Sequence, residues 1–280
     1  MKKTFKSYLK RIIKLISHDE MKILPGHLAF NIVLMIVPIF SFFGVLASSI
    51  EINSLIGGLE NHVPLAVLNI IESALNVDSN NYNLFLFIVF GLWLVSGGCR
   101  AIINSSDMLY KVKDVNTIVN TVKKYIKSFI MVLVLFLLIG FVVFVPILGD
   151  IIINFFSNYF QGSLIEFIAH SYHFLKYPIT IILMFILIKV LYTIAPSIRI
   201  KSKLMNHGAW FTTLSWFILT RIYSFHLNNY SNYNLYYGSL SNILILFVFV
   251  YALSYIFMIG LSLNANCYFT SLKQEENNKV

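Results

Sequence analysis

The chain has 280 residues, of which 58% are apolar and only 12% are charged. Soluble domains have roughly 45–50% apolar and about 25% charged residues, so this composition excludes an ordinary soluble protein and indicates a membrane protein. The formal net charge of +9 would also suit a nucleic-acid-binding protein, but the basic residues are divided among short segments beside apolar runs. Membrane topology and anionic lipid headgroups explain that distribution, and we expect no nucleic-acid partner.

Six runs of the sequence carry few or no charges and approach or exceed the roughly 20 apolar residues that cross a bilayer. These runs are residues 27–50, 83–99, 128–149, 177–196, 205–226 and 239–267. They predict an all-α, polytopic integral membrane protein with six transmembrane helices and additional amphipathic helices at the membrane interface. We divide the chain into an N-terminal amphipathic helix (1–24), a six-helix membrane domain (25–270) and a polar cytoplasmic tail (271–280).

Lysine and arginine are concentrated in alternate segments between these runs. The N-terminus, the second and fourth connections and the C-terminus together hold 18 of the 21 basic residues. Because short loops rich in basic residues stay in the cytoplasm, we expect both termini on the cytoplasmic side. No short hydrophobic core with a small-residue cleavage site precedes the first run, so we expect no cleavable signal.

Three amphipathic segments flank the apolar runs. Residues 5–16 alternate apolar and basic side chains at helical spacing, which is typical of a helix that lies in the headgroup plane of the inner leaflet. Residues 64–75 and 151–160 each present one apolar face on the outer side. These two segments either cap the outer mouth of the bundle or rest on lipid.

Polar and small side chains fall on one face of four of the predicted spanning helices. Such stripes either line a hydrated cavity or let helices pack closely and share hydrogen bonds, and the pattern leaves both alternatives open. The residues from these stripes that we assign to a substrate path are Asn31, Pro38, Ser41, Arg100, Thr213, Trp216, Thr220, Tyr251, Tyr255 and Ser262.

One lysine lies inside the fourth apolar run. Lys189 is only about 4 Å from the midpoint of that run, where a charge facing hydrocarbon costs about 2.5–3.5 kcal/mol. Tyr192 continues the same face, so we predict a polar wedge that is open to the cytoplasm. Either a water-filled cavity or a snorkelling side chain would keep the ammonium hydrated. Arg221, in the outer half of the fifth run, is an interfacial anchor or a group that attracts anions. We add all three residues to the substrate path.

The sequence gives no support for enzyme chemistry. It contains neither a GxxxxGK[ST] phosphate-binding loop nor an HExxH zinc motif, and no nucleophile, base and orienting group form a defensible arrangement. All 12 acidic residues lie outside the six runs or at their edges, which leaves a carboxylate proton relay unsupported. Cys99 and Cys267 are far apart in the sequence and suggest neither a disulfide framework nor a metal site. We expect no catalytic residues, no cofactor and no metal.

Three blocks occur in order along most of the chain. They are GHLAFNIVLMIVPIFSFFGVL from Gly26, GLWLVSGGCRAIINSSDMLYKV from Gly91, and a set from LYTIAP at Leu191 to YYGSLSNILILFVFVYALSYIFMIGLSLNA at Tyr236. Together they resemble the YihY/BrkB family of bacterial membrane proteins. The resemblance implies a six-helix protein of the cytoplasmic (inner) membrane. Some members once carried a ribonuclease label, and others are linked to serum resistance or to the movement of lipids or small solutes. Ser262 stands where the family often has an acid, so a mechanism that needs this acid does not carry over.

We expect a membrane transporter that exports a small polar solute or translocates a lipid between leaflets through a polar cavity open to the cytoplasm. The first helix with Pro38, and the fourth helix bounded by Pro178 and Pro196, would be its moving parts. The alternative is a non-transporting scaffold for envelope assembly, and a ribonuclease lacks chemical support. The expected partners are membrane lipids, including anionic headgroups, and a small polar or anionic solute. A homo-oligomer is compatible with the sequence.

Overall fold

A computed structural model describes residues 20–47, 81–112, 118–159, 163–229 and 240–277. Nearly all of these residues belong to α-helices, with one short 3₁₀ helix at Ser202–Met205. The helices are α1 (Glu20–Ala47), α2 (Asn81–Leu109), α3 (Ile118–Tyr159), α4 (Ser163–Ile194), α5 (Asn206–Asn229) and α6 (Leu240–Asn277). No strand occurs within the described ranges, which confirms the all-α prediction for this part of the chain.

Two helices of the described part are long and apolar enough to cross a membrane. The segments are Phe174–Ile194 in α4 and Leu244–Asn277 in α6, with mean hydropathies of 2.1 and 2.5. Only 11% of the apolar window in α4 is buried, so most of its side chains lack the protein partners that a core helix of a soluble protein would have. Six membrane crossings remain a prediction.

Some predicted features fall outside the described residues or differ from the observed helices. The amphipathic segments at 5–16 and 64–75 lie outside the described ranges. Most of the segment at 151–160 belongs to the last turns of α3, which is continuous from Ile118 to Tyr159. The prediction that Pro178 bounds the fourth helix is wrong, because Pro178 lies inside α4. A membrane helix tolerates an interior proline when neighbouring groups satisfy the freed backbone carbonyl.

The helices run in alternating directions, so one end of the bundle collects the starts of α1, α3 and α5 and the ends of α2, α4 and α6. The contacts that join these ends are Asp107 with Lys124, Asp107 with Ser197, Tyr110 with Tyr268, and Met21 with Ser262. We call this end the basic end, because the described lysines of the second and fourth connections lie there. Most fully buried side chains are also near this end.

Helices α5 and α6 approach each other closely at two glycines. A Cβ on Gly208 would meet the backbone oxygen of Gly260 and would lie 2.6 Å from the side chain of Asn264. A Cβ on Gly260 would lie 2.5 Å from the hydroxyl of Tyr192 on α4. The backbone N–H of Gly208 donates to Oδ1 of Asn264 at 2.7 Å, which is possible only because neither glycine has a side chain.

The turn after α2 contains a lysine in the left-handed region. Lys111 has a φ of 52°. Its N–H donates to the carbonyl of Met108 at 3.1 Å, and the N–H of Val112 donates to the carbonyl of Asp107 at 2.9 Å. These two bonds form a Schellman cap, in which glycine is the preferred residue at the left-handed position.

Lys111→Gly is therefore expected to raise the free energy of unfolding by about 0.5–1 kcal/mol, since glycine has no Cβ to strain at positive φ. The midpoint of SDS-induced unfolding in mixed micelles measures the change. Lys123→Gly, within the regular helix α3, is the control and is expected to lower stability by about 1 kcal/mol. Equal losses in the two variants would contradict the assignment of strain to Lys111.

Candidate functional site

The last turn of α4 ends beside α3. The helix stops at Ile194 because Pro196 disfavours helical backbone at Ala195 and has no N–H of its own. The ammonium of Lys127, on α3, donates to the carbonyl oxygens of Ala195 and Pro196 at 3.0 and 2.5 Å. A cation at this position also interacts favourably with the negative end of the helix dipole.

Asp107, at the end of α2, binds the residue that follows Pro196. Its Oδ1 accepts the backbone N–H of Ser197 at 2.7 Å, and its Oδ2 accepts the Ser197 hydroxyl at 2.7 Å. The ammonium of Lys124 lies 3.1 Å from Oδ2. Asp107 is buried, so its charge requires these partners. Charged groups from α2 and α3 thus hold the end of α4.

A cavity of about 300 Å³ opens beside this cluster. The residues that line it are Asp107, Val112, Asn120, Lys123, Lys124, Lys127 and Ser197. These described residues contribute three ammonium groups and one carboxylate, which makes the cavity electropositive. Burial lowers the pKa of Lys127 below its ordinary value, and Lys124 acts in the same direction, whereas Asp107 opposes the shift.

Two further cations lie along the contact between α4 and α5, which we call the α4–α5 seam. The ammonium of Lys189 is 5.9 Å from the ring centre of Phe185. That ring stacks on the ring of Trp210, with 4.4 Å between the two ring centres. The guanidinium of Arg221 is 5.0 Å from the ring centre of Tyr177. Lys189 is partly exposed and Arg221 is exposed, so both charges are accessible from outside the bundle.

Tyr192 lies on the other side of α4, inside the bundle. Its hydroxyl donates to the carbonyl of Phe257 at 2.7 Å and lies 2.7 Å from the hydroxyl of Thr212. The side chain is fully buried. Tyr192 therefore joins α4 to α5 and α6, and it does not lie beside Lys189 at the bundle surface.

Three more residues of the predicted path are buried between helices. Thr213 donates to the carbonyl of Ala209 on its own helix at 2.8 Å. The hydroxyl of Ser262 lies 3.7 Å from the sulfur of Met21, and Pro38 packs where α1 meets Gly91 of α2. Ser262 and Pro38 therefore lie in helix contacts, whereas the buried hydroxyl of Thr213 is satisfied within α5.

The other predicted residues lie in scattered positions. The guanidinium of Arg100 is 4.2 Å from the ring centre of Tyr125, and its buried Nη1 has no hydrogen-bond partner among the described residues. The indole N–H of Trp216 donates to the carbonyl of Leu253 at 2.9 Å. The amide of Asn31 donates to a carbonyl on its own helix.

Thr220 and Tyr251 are exposed, and Tyr251 lies 6.1 Å from Tyr255 between ring centres. The side chain of Ser41 is outside the described part. None of the thirteen predicted residues lines the cavity at the basic end. That they form one substrate path stays a prediction.

The cluster around Asp107 was not predicted as a site. Lys124 and Lys127 were interpreted only as determinants of topology, and Asp107 only as an acid at the edge of a span. The available signal was the polar run from Asn104 to Asp107 directly after an apolar run, followed by lysines spaced three residues apart on the next helix. This signal could indicate a charged helix contact, but it could not identify Ser197 as a partner.

Comparison with known proteins gives one family and one curated relative. The family described as Virulence factor BrkB matches residues 12–279, in agreement with the resemblance carried by the three sequence blocks. The chain is also similar to the putative ribonuclease-like protein YfkH of Bacillus subtilis (strain 168), with 23% identity over 264 residues that cover 92% of this chain and 94% of the relative. No solved structure matches the chain.

Proposed function

The chain belongs to the Virulence factor BrkB family, and from this premise we propose that it is a membrane transporter that moves lipids with anionic headgroups between leaflets along the α4–α5 seam. Export of a small polar solute is the alternative substrate for the same transporter. In this proposal the chain lies in the bacterial cytoplasmic membrane, crosses it six times and has its basic end in the cytoplasm. The proposal assigns no catalytic chemistry to the chain.

The observation that carries the proposal is the spacing of cations along α4. Lys127 contacts the end of this helix at Ala195, and Lys189 lies on the helix about 9 Å away at 1.5 Å per residue. Arg221 contacts the helix at Tyr177, about 18 Å further along. The whole distance of about 27 Å is close to the roughly 30 Å thickness of the hydrocarbon core. An anionic headgroup in the seam would therefore meet Arg221 near one leaflet and Lys189 between the leaflets, and Lys127 on α3 would attract it at the other end of α4.

The exposure of the seam favours a lipid over a water-soluble solute. Within the part of the chain that the structure describes, Lys189 is partly exposed and Arg221 is exposed at the surface of the bundle. A charge that faces hydrocarbon near the membrane centre costs about 2.5–3.5 kcal/mol unless it is paired. An anionic headgroup in the seam would supply the opposite charge, while its acyl chains remained in the surrounding lipid.

Vesicle experiments test the proposal. The purified protein is reconstituted into vesicles that contain labelled phosphatidylserine, and the label in the outer leaflet is quenched chemically to follow its exchange. We expect wild-type vesicles to exchange the label faster than empty vesicles. Lys189→Leu should slow the exchange about tenfold, because loss of a charge-assisted contact at the crossing point raises the barrier by about 1.4 kcal/mol.

Lys203→Leu is the matched control. Lys203 is exposed in the connection between α4 and α5 and lies outside the seam, so this variant should exchange the label at the wild-type rate. A parallel set of vesicles loaded with small labelled anions tests the solute alternative. If wild-type vesicles exchange or release none of these probes faster than empty vesicles, the protein is not a transporter of either kind.

A further inference from the structure

We infer that the cavity between α2, α3 and the end of α4 is a binding site for a phosphate group, carried by a lipid headgroup or present as the free anion. This inference deepens the proposed function, on which it rests for the role of the site in transport. The binding itself is a separate property. It depends on the charges, hydrogen bonds and volume of the cavity.

The carboxylate in the cavity wall is already satisfied. Both oxygens of Asp107 accept hydrogen bonds from Ser197, and one of them also pairs with Lys124. A cation that entered the cavity would have to compete with these donors. Asp107 therefore holds the wall together and neutralises Lys124, and its presence does not make the cavity a cation site.

The other two lysines form no such direct ion pair, and Asp107 stabilises the charge of Lys127 only from a longer distance. Within the described ranges, no carboxylate forms an ion pair with Lys123 or Lys127. Lys127 donates to two carbonyl oxygens, which supply dipoles but no opposite charge, and its ammonium has a third hydrogen to donate. Two cations at the wall of one cavity repel each other, and an anion between them would relieve that repulsion.

The surroundings of Lys127 add a second argument. Burial lowers the pKa of this ammonium even though Asp107 acts in the opposite direction. The two carbonyl oxygens and Asp107 therefore do not fully compensate for the hydration that the ammonium of Lys127 has lost. An anion that entered the cavity would stabilise the charged form of Lys127 and replace the electrostatic stabilisation that burial removes.

The size and geometry of the cavity suit a phosphate group. Ligand sites in proteins usually enclose about 300–1,000 Å³, so a cavity of about 300 Å³ has room for a headgroup or a small anion. Lysine binds phosphate as a compact point charge with several donors. Lys123 and Lys127 lie on one helix and are four residues apart, so both can reach a tetrahedral group between them.

The experiment has two arms that separate the sources of the phosphate. In the first arm, inorganic phosphate is titrated calorimetrically into the full chain in an uncharged detergent, at constant ionic strength. In the second arm, native mass spectrometry measures retention of phosphatidic acid against diacylglycerol, which has the same acyl chains but no phosphate. Binding in the first arm alone identifies a free anion, and binding in the second arm alone identifies a headgroup. Either result, or both, supports the site.

Three variants assign the binding to the cavity. Lys127→Gln is expected to weaken binding about tenfold, because it removes a charge-assisted contact that is partly shielded from water. Lys123→Gln should weaken it about threefold, since this lysine is exposed and its contact is screened. Lys203→Gln, at the same end of the bundle but outside the cavity lining, should bind as the wild type does.

If Lys127→Gln fails to fold, Lys123→Gln still tests the site, because Lys123 is exposed and its replacement should not disturb folding. Absence of binding in both arms would overturn the inference, and so would equal weakening by Lys203→Gln and Lys123→Gln. Specific binding without exchange of lipid or release of small anions in the vesicle experiments would leave the phosphate site in place and refute the proposed transport. Failure of the phosphate site and failure of the proposed transport are therefore distinguishable.

Discussion

Replacing Gly208 by alanine is expected to lower the free energy of unfolding by about 3 kcal/mol or more, which is the upper part of the range for overpacked cores. The new Cβ would collide with the backbone oxygen of Gly260 and with the side chain of Asn264. Backbone on a neighbouring helix cannot move away as the end of a flexible side chain can. The helices would have to separate, and the bond from the Gly208 N–H to Asn264 would be lost.

The SDS-unfolding midpoint and the yield of folded protein measure this effect. Gly26→Ala is the matched control, because a Cβ there would have ordinary contact with the ring of Tyr251 at 3.9 Å. Alanine stabilises a helix interior by up to about 1 kcal/mol relative to glycine, so the control should unfold at the wild-type midpoint or above it. Equal midpoints for the two variants would show that α5 and α6 do not approach as closely as described.

Asp107→Ala is expected to lower the free energy of unfolding by about 3 kcal/mol. The substitution removes the acceptor for the N–H and hydroxyl of Ser197 and leaves Lys124 without its counter-charge. Loss of one partner of a buried ion pair costs about 3–5 kcal/mol, and the cost falls toward the lower limit here because Lys124 is partly exposed. Trypsin should also cleave faster at Arg199, which is exposed in the connection after α4, because the substitution releases this connection from α2.

The second described ion pair provides the control for this prediction. Lys201 and Glu275 are 3.8 Å apart, and their side chains are 85% and 64% exposed. Exposed pairs contribute about 0–1 kcal/mol, so Glu275→Ala should change neither the SDS midpoint nor the rate of tryptic cleavage measurably. If the two variants behaved alike, Asp107 would not be the group that holds the end of α4.

Hydropathy predicted where the six described helices lie but not where they end. Each helix contains or largely overlaps one apolar run. The run at 128–149, however, belongs to a helix that begins at Ile118. Hydropathy marks only the apolar part of a helix, whereas backbone hydrogen bonding continues the same helix through polar residues. The three lysines of the cavity lie on this polar extension of α3.

The candidate site could be predicted only where one residue contrasts with its neighbours in the sequence. Lys189 is visible because it is a single charge in an apolar run. The partnership of Asp107 with Ser197 joins residues 90 positions apart, and only the arrangement of α2 beside the end of α4 brings them together. The role of Tyr192 could not be predicted for the same reason, since it donates to the carbonyl of Phe257, which lies 65 residues later in the sequence.

The contact between α1 and α6 determines when the bundle can be completed during synthesis. Ala29 of α1 forms a buried cluster with Leu246 and Val250 of α6, and Met21 meets Ser262. Among the described helices, α6 leaves the ribosome last. Helix α1 must therefore keep one face unmatched until α6 has been synthesised. A nascent chain that stalls before α6 would leave this face of α1 open to proteolysis.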